Sequence, residues 1–447
     1  MLEDKPYKVF LRYVIPSILG LLAVSSASII DGYFVGNYVG SIGLASINIA
    51  YPVFSILFGV GLMFAVGSSV MAGKLLGEKR INEAQNLFSK ALISIILFSI
   101  IACGLVYLSI DNLLALLNIQ DELLSSASIY LSIMVIFLPF IMVGIVVDYF
   151  VRVDENPYLS FLALVSIALS NIGLDYLLIV VYDYGLHGAA WATGISYTTM
   201  IFILIPHFFR SLSTLRLIKP SGSFRIIFTA LKNGVSEFIN ESSAGITVMI
   251  FNFMMIRYLG ASGVAAYTIV SYFTMVSIMI SFAISDGIQP IISKNYGAKE
   301  YKRIASFFKL GIITILGFAI LLVALVLSYP EALVNIFLDS NSGDTKAITV
   351  EFLHYTWIAF LFVGLNILIT SYLTSIHQPF ASASISIARS LILPIFFVTL
   401  LAYYFGVVGV YLALPFSELS TFVIAVVLFR RFSLQASKPT SQKQTPK

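Results

Sequence analysis

Long apolar runs constrain this chain more than any other feature of its sequence. Several of them reach about 20 residues, the length a helix needs to cross a bilayer core of roughly 30 Å. Hydrophobic residues make up 59% of the 447 residues and charged residues 11%, whereas soluble domains carry roughly 25% charged residues. The sequence therefore predicts an all-α polytopic membrane protein.

The apolar runs divide into twelve predicted transmembrane spans, six in each half of the chain. The first six lie near residues 13–38, 47–73, 87–109, 124–150, 158–182 and 186–209. The second six lie near residues 235–257, 262–293, 305–328, 348–374, 381–404 and 408–431.

The basic residues predict the orientation of these spans. Twenty-three of the 26 lysines and arginines lie on one predicted side of the membrane. They are in or next to the N-terminus, the C-terminal tail and the loops on that side. Because cytoplasmic segments carry such an excess, both termini are expected in the cytoplasm. The net charge of +4 is thus a topology signal, and we expect no nucleic-acid partner.

The loops leave no room for a separate soluble domain. We expect an N-lobe over 1–209, a cytoplasmic linker over 210–234, a C-lobe over 235–432 and a disordered basic tail over 433–447. Within the linker, the segment FRIIFTALK is amphipathic, and we expect it to lie on the membrane surface.

The two halves repeat each other in sequence. YVGSIGLASINI from Tyr38 matches YLGASGVAAYTI from Tyr258, and KLLGEKR from Lys74 matches KNYGAKE from Lys294, both at an offset of 220 residues. YGLHGAAWA from Tyr184 aligns with FGVVGVYLA from Phe405, at an offset one residue larger. Since the offset covers an even number of spans, the repeats are parallel. Parallel repeats are typical of alternating-access transporters, with a central cavity between two lobes.

Asp31 is the most unusual residue in the first half. It is the one charged residue between Tyr13 and Gly73. A charge at the bilayer centre costs roughly 2.5–3.5 kcal/mol on translocon scales, so such residues face the bundle interior and mark candidate functional sites. The alternative is a carboxylic acid satisfied by interhelical hydrogen bonds.

The fifth span offers companions for Asp31. Asn171 and Asp175 are four residues apart in NIGLD and share a helix face. With Asp31 they would form a polar pocket in which two carboxylates cannot easily both be ionised. Such a pocket can carry a proton, and its oxygens can instead ligate Na⁺.

Five further acids were singled out within the spans: Asp148, Glu237, Glu241, Asp286 and Glu418. Asp148 and Arg152 are four apart and predict a structural ion pair. Glu237 and Glu241 could attract or couple a cation, or could be hydrated near the interface. Arg389 could pair with Asp286 or with Glu418. We treat Glu237, Glu241, Asp286, Arg389 and Glu418 as candidate cavity residues.

An interior richer in acids than in bases favours organic cations as substrates. Carboxylates pair with such cations, and aromatic rings add cation–π contacts. Met-rich or aromatic surfaces can also repack around different ligands, although many of these side chains would face lipid.

The chain resembles the multidrug and toxic compound extrusion (MATE) transporters, and among them the bacterial MepA-like branch. The most specific segments are IIDGYFVGNYVG from Ile29, NIGLDYLLI from Asn171, YGLHGAAWAT from Tyr184 and IQPIISKNYGAKEYKRI from Ile288. The resemblance implies a bacterial inner-membrane antiporter, with twelve helices in two lobes, that exchanges drugs for H⁺ or Na⁺. It also implies that membrane lipids and small organic cations are the partners, that there is no cofactor, and that the chain is not an enzyme; we further expect a monomer.

The resemblance assigns the coupling-ion site to Asp31, Asn171 and Asp175, with Thr193 on the sixth helix and Tyr130 on the fourth. Na⁺ would be held by Asp31, Asn171, Asp175 and Thr193. Two departures matter. The seventh-helix glutamates lie nearer the cytoplasm than in one branch of the family, and the tenth span, WIAFLFVGLNILITSY, has no acid. Both argue against a sodium site in the C-lobe.

Three other functions were weighed. A major facilitator also has twelve spans, but the second loop, GKLLGEKR, lacks the acid and second glycine of its usual motif. A lipid-linked precursor flippase shares the two-lobe architecture, but its cavity should be basic. A membrane-embedded enzyme would need a catalytic motif such as G-x-S-x-G, and none was found.

Overall fold

The computed structural model describes residues 1–115, 121–211, 213–338 and 343–436. Within these residues the chain folds as thirteen α-helices. They are α1 (Pro6–Phe34), α2 (Ser41–Gly77), α3 (Ile81–Ala115), α4 (Asp121–Val153), α5 (Pro157–Asp175), α6 (Gly185–Leu204), α7 (Arg225–Gly297), α8 (Tyr301–Ser328), α9 (Pro330–Val334), α10 (Gly343–Ser375), α11 (Pro379–Ile387), α12 (Leu393–Phe405) and α13 (Val407–Ala436).

In the described part of the chain, eleven helical stretches are long and apolar enough to cross a membrane. One of them is α7, whose 73 residues contain a break at Gly260, with φ 63° and ψ −150°. Dividing α7 there gives the twelve predicted spans, because the break falls between the predicted spans 235–257 and 262–293. Helices suit this environment since each satisfies its own backbone hydrogen bonds.

Helix starts follow local sequence rules. Proline occupies an early position in α1, α5, α9 and α11, where its missing N–H costs nothing. Asn156 caps α5, its Oδ1 accepting from the backbone N–H of Leu159 at 3.3 Å. Such a cap is worth about 1 kcal/mol.

The internal repeat is visible in the backbone of the turns. Three pairs of residues matched in sequence share a positive φ: Gly40 (95°) and Gly260 (63°), Lys79 (62°) and Lys299 (60°), and Gly185 (51°) and Gly406 (57°). A positive φ is uncommon for a residue other than glycine, so the lysine pair is the most informative of the three. The duplication predicted from sequence is therefore a duplication of structure.

The chain packs as two compact units. The first comprises Met1–Gly245 together with Asp286–Ala298, and the second comprises Ile246–Ser285 together with the described residues from Lys299 onward. Both ends of α7 therefore belong to the first unit. Helix α7 also begins at Arg225, so the second part of the predicted linker 210–234 forms the first turns of a membrane helix. Of the predicted tail, residues 437–447 lie outside the described residues.

The linker before α7 is fastened to the first unit. Asp154, between α4 and α5, accepts hydrogen bonds from the backbone N–H groups of Thr214 and Leu215 at 3.0 and 3.1 Å. Lys90 on α3 donates to the carbonyl oxygen of Ser223 at 2.9 Å. These contacts gather the linker, the α4–α5 turn and one end of α3 at a single end of the first unit, here called the amino-terminal face.

Candidate functional site

The predicted pocket residues come together in the first unit. Helix α1 carries Asp31 and packs along α5, which carries Asn171 and Asp175. Asp175 is fully buried and Asn171 is 7% exposed. The side chains of Asp31 and Asp175 approach within hydrogen-bonding reach of each other. The four-residue spacing of Asn171 and Asp175 therefore does place both beside Asp31.

Three of the four oxygens of the two carboxyl groups lack donors. Among the described residues, Oδ1 of Asp31 and both oxygens of Asp175 are buried without a hydrogen-bond partner. Two ionised carboxylates are both acceptors, so their mutual contact becomes a hydrogen bond only when one of them is protonated. An unsatisfied buried acceptor costs about 1–3 kcal/mol, and more when it is charged. A proton shared by the two carboxyl groups would satisfy this contact, and a bound cation would neutralise it.

A cavity of about 340 Å³ opens beside this pair. Its lining includes four of the five predicted site residues, Asp31, Asn171, Thr193 and Tyr130. The fifth, Asp175, does not line the cavity but lies against Asp31, which does. The cavity is of the size that small-molecule sites commonly show, roughly 300–1,000 Å³.

Several polar lining residues were missed from the sequence. They are Ser28, Asn48, Tyr51, Ser196 and Tyr197. Tyr197 lies four residues after Thr193 on α6, so the spacing that linked Asn171 to Asp175 could have found it. Asn48 and Tyr51 stand on α2, and their only sequence signal is polarity within an apolar span.

Both carboxylates are followed by π-helical turns. Val35–Val39 comes four residues after Asp31, and Tyr176–Val181 directly follows Asp175. Single π-turns within α-helices occur frequently at functional sites.

The oxygen atoms of this site suit a proton or a small hard cation. Carboxylate, carboxamide and hydroxyl groups surround one cavity, and hard cations prefer oxygen ligands. Three of these residues line the cavity directly: Asp31, Asn171 and Thr193. Asp175 would act on the cation through its contact with Asp31. Tyr51, Phe54 and Tyr197 add aromatic surface to the same cavity.

Asp148 and Arg152 form the predicted structural ion pair. Arg152 Nη2 donates to Asp148 Oδ2 at 2.5 Å, and both side chains are buried. Ser160 on α5 donates to Asp148 and accepts from Arg152 Nε at 2.8 Å. The pair therefore fastens α4 to α5, a link between helices that the sequence spacing alone did not reveal.

Asp286, one of the candidate cavity residues, is hydrogen-bonded to α4. Tyr149 donates its hydroxyl to Asp286 Oδ2 at 3.0 Å. Glu237 is buried within electrostatic range of Asp286, and Glu241 packs on Gly59 of α2. These three acids belong to the first unit but do not line the cavity beside Asp31. A role for them in a substrate cavity stays a prediction.

Arg389 pairs with Glu418 rather than with Asp286. Arg389 Nε lies 3.2 Å from Glu418 Oε1, and both side chains are buried in the second unit. Asn366 Nδ2 donates to Glu418 Oε2 at 2.7 Å. Asp286 as the partner of Arg389 is therefore wrong, because Asp286 belongs to the first unit and bonds Tyr149.

Comparison with known proteins gives a consistent picture. A sequence model of the MatE family matches residues 16–177 and again residues 239–400, once in each sequence repeat. The chain is 25% identical over 451 residues to the multidrug export protein MepA of Staphylococcus aureus, covering 98% of this chain and 97% of MepA. It is 24% identical over 419 residues to MepA of Staphylococcus saprophyticus, covering 93% and 92%.

Solved structures share the fold. An outward-facing multidrug resistance MATE family transporter of the MOP superfamily superposes with a TM-score of 0.92 at 20% identity, covering 98% of both chains. A MOP superfamily transporter from Pyrococcus furiosus, described as having a binding pocket of reverse polarity and a different function, superposes with a TM-score of 0.91 at 20% identity, again covering 98% of both chains.

Proposed function

Because this chain belongs to the MatE family, we propose that it is a secondary active multidrug efflux antiporter. It exports cationic amphiphilic compounds in exchange for H⁺ or Na⁺ by alternating access. Its relatives are transporters rather than enzymes, which confirms that the chain is not an enzyme.

The observation that carries the antiport proposal is the unneutralised carboxyl pair Asp31–Asp175. Three of its buried oxygens, Oδ1 of Asp31 and both of Asp175, have no donor in the described part of the chain, and Asp31 lines a cavity. A coupling cation supplies the missing charge. The coupling cation is a substrate of the transporter, not a cofactor, and Asn171, Thr193 and Tyr130 complete its site.

Exchange follows from competition for the same negative charge. With the pair ionised, the acidic cavity accepts an organic cation from the cytoplasm. A proton or Na⁺ from outside then neutralises the pair and removes the favourable charge interaction, so the organic cation leaves. The π-turn that follows Asp31, together with Gly32 and Gly36, gives α1 a place to bend during this change.

Electrical balance limits the driving force. One elementary charge moved across the membrane is worth roughly 2.3 kcal/mol per 100 mV. Exchange of one drug cation for one coupling cation moves no net charge. Transport at that ratio is driven by the chemical gradient of the coupling ion.

The alternatives predict a different site. A lipid-linked precursor flippase binds an anionic phosphate carrier, which the acidic lining beside Asp31 disfavours. A major facilitator is set aside because the MatE model matches most of the chain.

The protein is a multi-pass membrane protein with bacterial relatives. We place it in the bacterial cytoplasmic membrane, with both termini in the cytoplasm, acting as a monomer on organic cations from the cytoplasm and the surrounding lipid.

The test is ethidium efflux in membrane vesicles under an imposed pH gradient or an imposed Na⁺ gradient. Wild-type efflux driven by one gradient and lost in Asp31→Asn supports the proposal and identifies the ion. Glu331→Gln, at an exposed carboxylate of the second unit, is the matched control and should export normally. Full efflux by Asp31→Asn at equal expression contradicts the antiport mechanism, and no wild-type efflux under either gradient favours the flippase.

A further inference from the structure

Two glycines of the sequence repeat meet face to face at the amino-terminal face. A Cβ atom on Gly77 of α2 would overlap the backbone carbonyl of Lys294, and a Cβ atom on Gly297 of α7 would overlap that of Lys74. The contact is reciprocal, and Lys74 and Gly77 match Lys294 and Gly297 at the offset of 220 residues. The two repeats therefore contact each other through the same short motif.

A second reciprocal contact lies further along α2. A Cβ atom on Gly67 would overlap the carbonyl oxygen of Ala230, and one on Gly234 would overlap that of Met63. All four glycines belong to the first unit. Backbones this close require glycine on both sides, because any side chain would force the helices apart. We call Gly67, Gly77, Gly234 and Gly297 the glycine contact.

Polar bonds near the glycine contact join α7 to α4 and to the turn between α4 and α5. Lys294 Nζ donates to Glu155 Oε1 at 2.7 Å, and the Met1 ammonium group donates to Glu155 Oε2 at 3.2 Å. Tyr149 on α4 donates to Asp286 on α7 at 3.0 Å. These bonds hold the C-terminal end of α7 to the helices of the first repeat.

We propose that the glycine contact is a gate on the cytoplasmic side, where the two repeats close against each other and from which they must separate to admit substrate. The inference rests on the proposed alternating-access function and on the predicted orientation of the amino-terminal face. At the glycine contact the nearest atoms across the interface are backbone atoms, so opening it would not pull interlocked side chains apart. The few polar bonds around them set how firmly the gate is closed.

The gate can be tested with a reversible cross-link. A Cβ atom on Gly73 would lie 3.2 Å from the Cβ atom of Ser293, close to the roughly 3.5–4.5 Å that a disulfide spans. In a Cys103→Ser background, Gly73→Cys with Ser293→Cys should cross-link on oxidation. Ethidium efflux should then be lost and should return on reduction. Each single-cysteine variant is a control, and its efflux should be the same before and after oxidation.

A second readout does not depend on transport. In the Cys103→Ser, Ser293→Cys variant, the thiol should be shielded from a water-soluble maleimide while the gate is closed. Adding Gly77→Ala or Gly297→Ala should raise the labelling rate severalfold, and by similar factors, because each wedges the same contact. Gly104→Ala is the matched control, since a Cβ atom there meets nothing within 4 Å.

Two results would overturn the gate. One is a cross-linked protein that exports at the parent rate. The other is unchanged maleimide labelling in both wedge variants. A third result would separate the two proposals. If the wild type exports no ethidium but Gly77→Ala still raises the maleimide labelling rate, drug export is contradicted while the gate is supported.

Discussion

Glu155 shows how one residue can carry several interactions at a helix turn. It lies between α4 and α5 with a φ of 66° and accepts bonds from Lys294 and the Met1 ammonium group. Partial burial alone would raise the pKa of this carboxyl, but the bonds from Lys294 and from the N-terminus outweigh burial and hold its pKa below the ordinary value. The folded protein therefore favours ionised Glu155.

The depressed pKa predicts a specific loss of stability in acid. Glu155 contributes stability above its unfolded pKa, about 4.3 for glutamate, and this contribution disappears as pH falls through the lower folded pKa. Glu155→Gln should lower Tm near neutral pH by a small amount, because the side chain is partly exposed and solvent screens the pair. As pH is lowered, the Tm of the variant should fall less than the Tm of the wild type, because the variant has no Glu155 carboxylate to protonate.

Thermal unfolding in detergent across a series of pH values checks this prediction. Glu331→Gln, which removes an exposed carboxylate at a 3.4 Å pair with Lys346, should unfold like the wild type. An identical pH profile for wild type and Glu155→Gln would mean that the bonds from Lys294 and Met1 contribute nothing.

Single residues of the site were predictable where their chemistry conflicted with their surroundings. Asp31 stands alone in a long apolar run, and the spacing of Asn171 and Asp175 fixes a shared helix face, so the pocket could be inferred before the fold. Asp286 could not be explained in that way. Its partner Tyr149 is 137 residues away, and an aromatic residue in an apolar span gives no sign that its hydroxyl is used.

At the scale of helices and turns, the sequence repeat predicted more than the positions of the spans. Lys79 and Lys299 share a left-handed turn, and Glu155 and His377 share another at the α4–α5 and α10–α11 connections. The second pair was not recognised, because DENP and IHQP agree in little except the proline. A backbone conformation can be repeated where side chains have diverged.

The π-turns lay beyond sequence reasoning. A π-turn differs from an α-helix by one inserted residue and leaves the apolar pattern nearly unchanged. The turns beside Asp31 and Asp175, and the one that contains Arg389 (Ala388–Ile392), depend on how neighbouring helices pack. They are visible only in the folded chain.

Close helix packing in the second unit gives a prediction at this scale. A Cβ atom on Gly409 of α13 would overlap the backbone carbonyl of Leu401 on α12, and backbone cannot move aside as a side chain can. Gly409→Ala should destabilise the protein by about 1–3 kcal/mol, the usual cost of overpacking. The measurement is the loss of folded protein with temperature in detergent.

Gly317→Ala on α8 is the matched control, because nothing lies within 4 Å of its added Cβ atom. It should be neutral or slightly stabilising, since alanine has the better helix propensity. Equal stability of both variants would show that α12 and α13 are not as close in solution as the structure places them.

For the whole molecule, the two repeats have the same helix plan but differ in their buried charge. In the described residues of the second unit, buried Glu418 is paired with Arg389 and bonded to Asn366. Among the described residues of the first unit, Oδ1 of Asp31 and both oxygens of Asp175 are buried without a hydrogen-bond donor. The duplicated fold thus has one buried acid paired with an arginine and, in the other repeat, a buried acid pair that we propose takes its cation from outside the chain.

Under the proposed function, this asymmetry assigns cation coupling to the first unit, and that assignment is the central claim of our account. If the coupling ion and the drug compete for the Asp31–Asp175 pair, each must weaken the binding of the other by the same factor. Sequence could suggest the pair but not this competition, which depends on the shared cavity.

The most direct test is ethidium binding to the purified protein in detergent, measured as Kd while H⁺ and Na⁺ concentrations are varied separately. Our account predicts that one of the two cations weakens ethidium binding to the wild type. It also predicts that Asp31→Asn binds ethidium more weakly and no longer responds to that cation. A wild-type Kd that is unchanged by both cations, or an Asp31→Asn variant that responds as the wild type does, would contradict it.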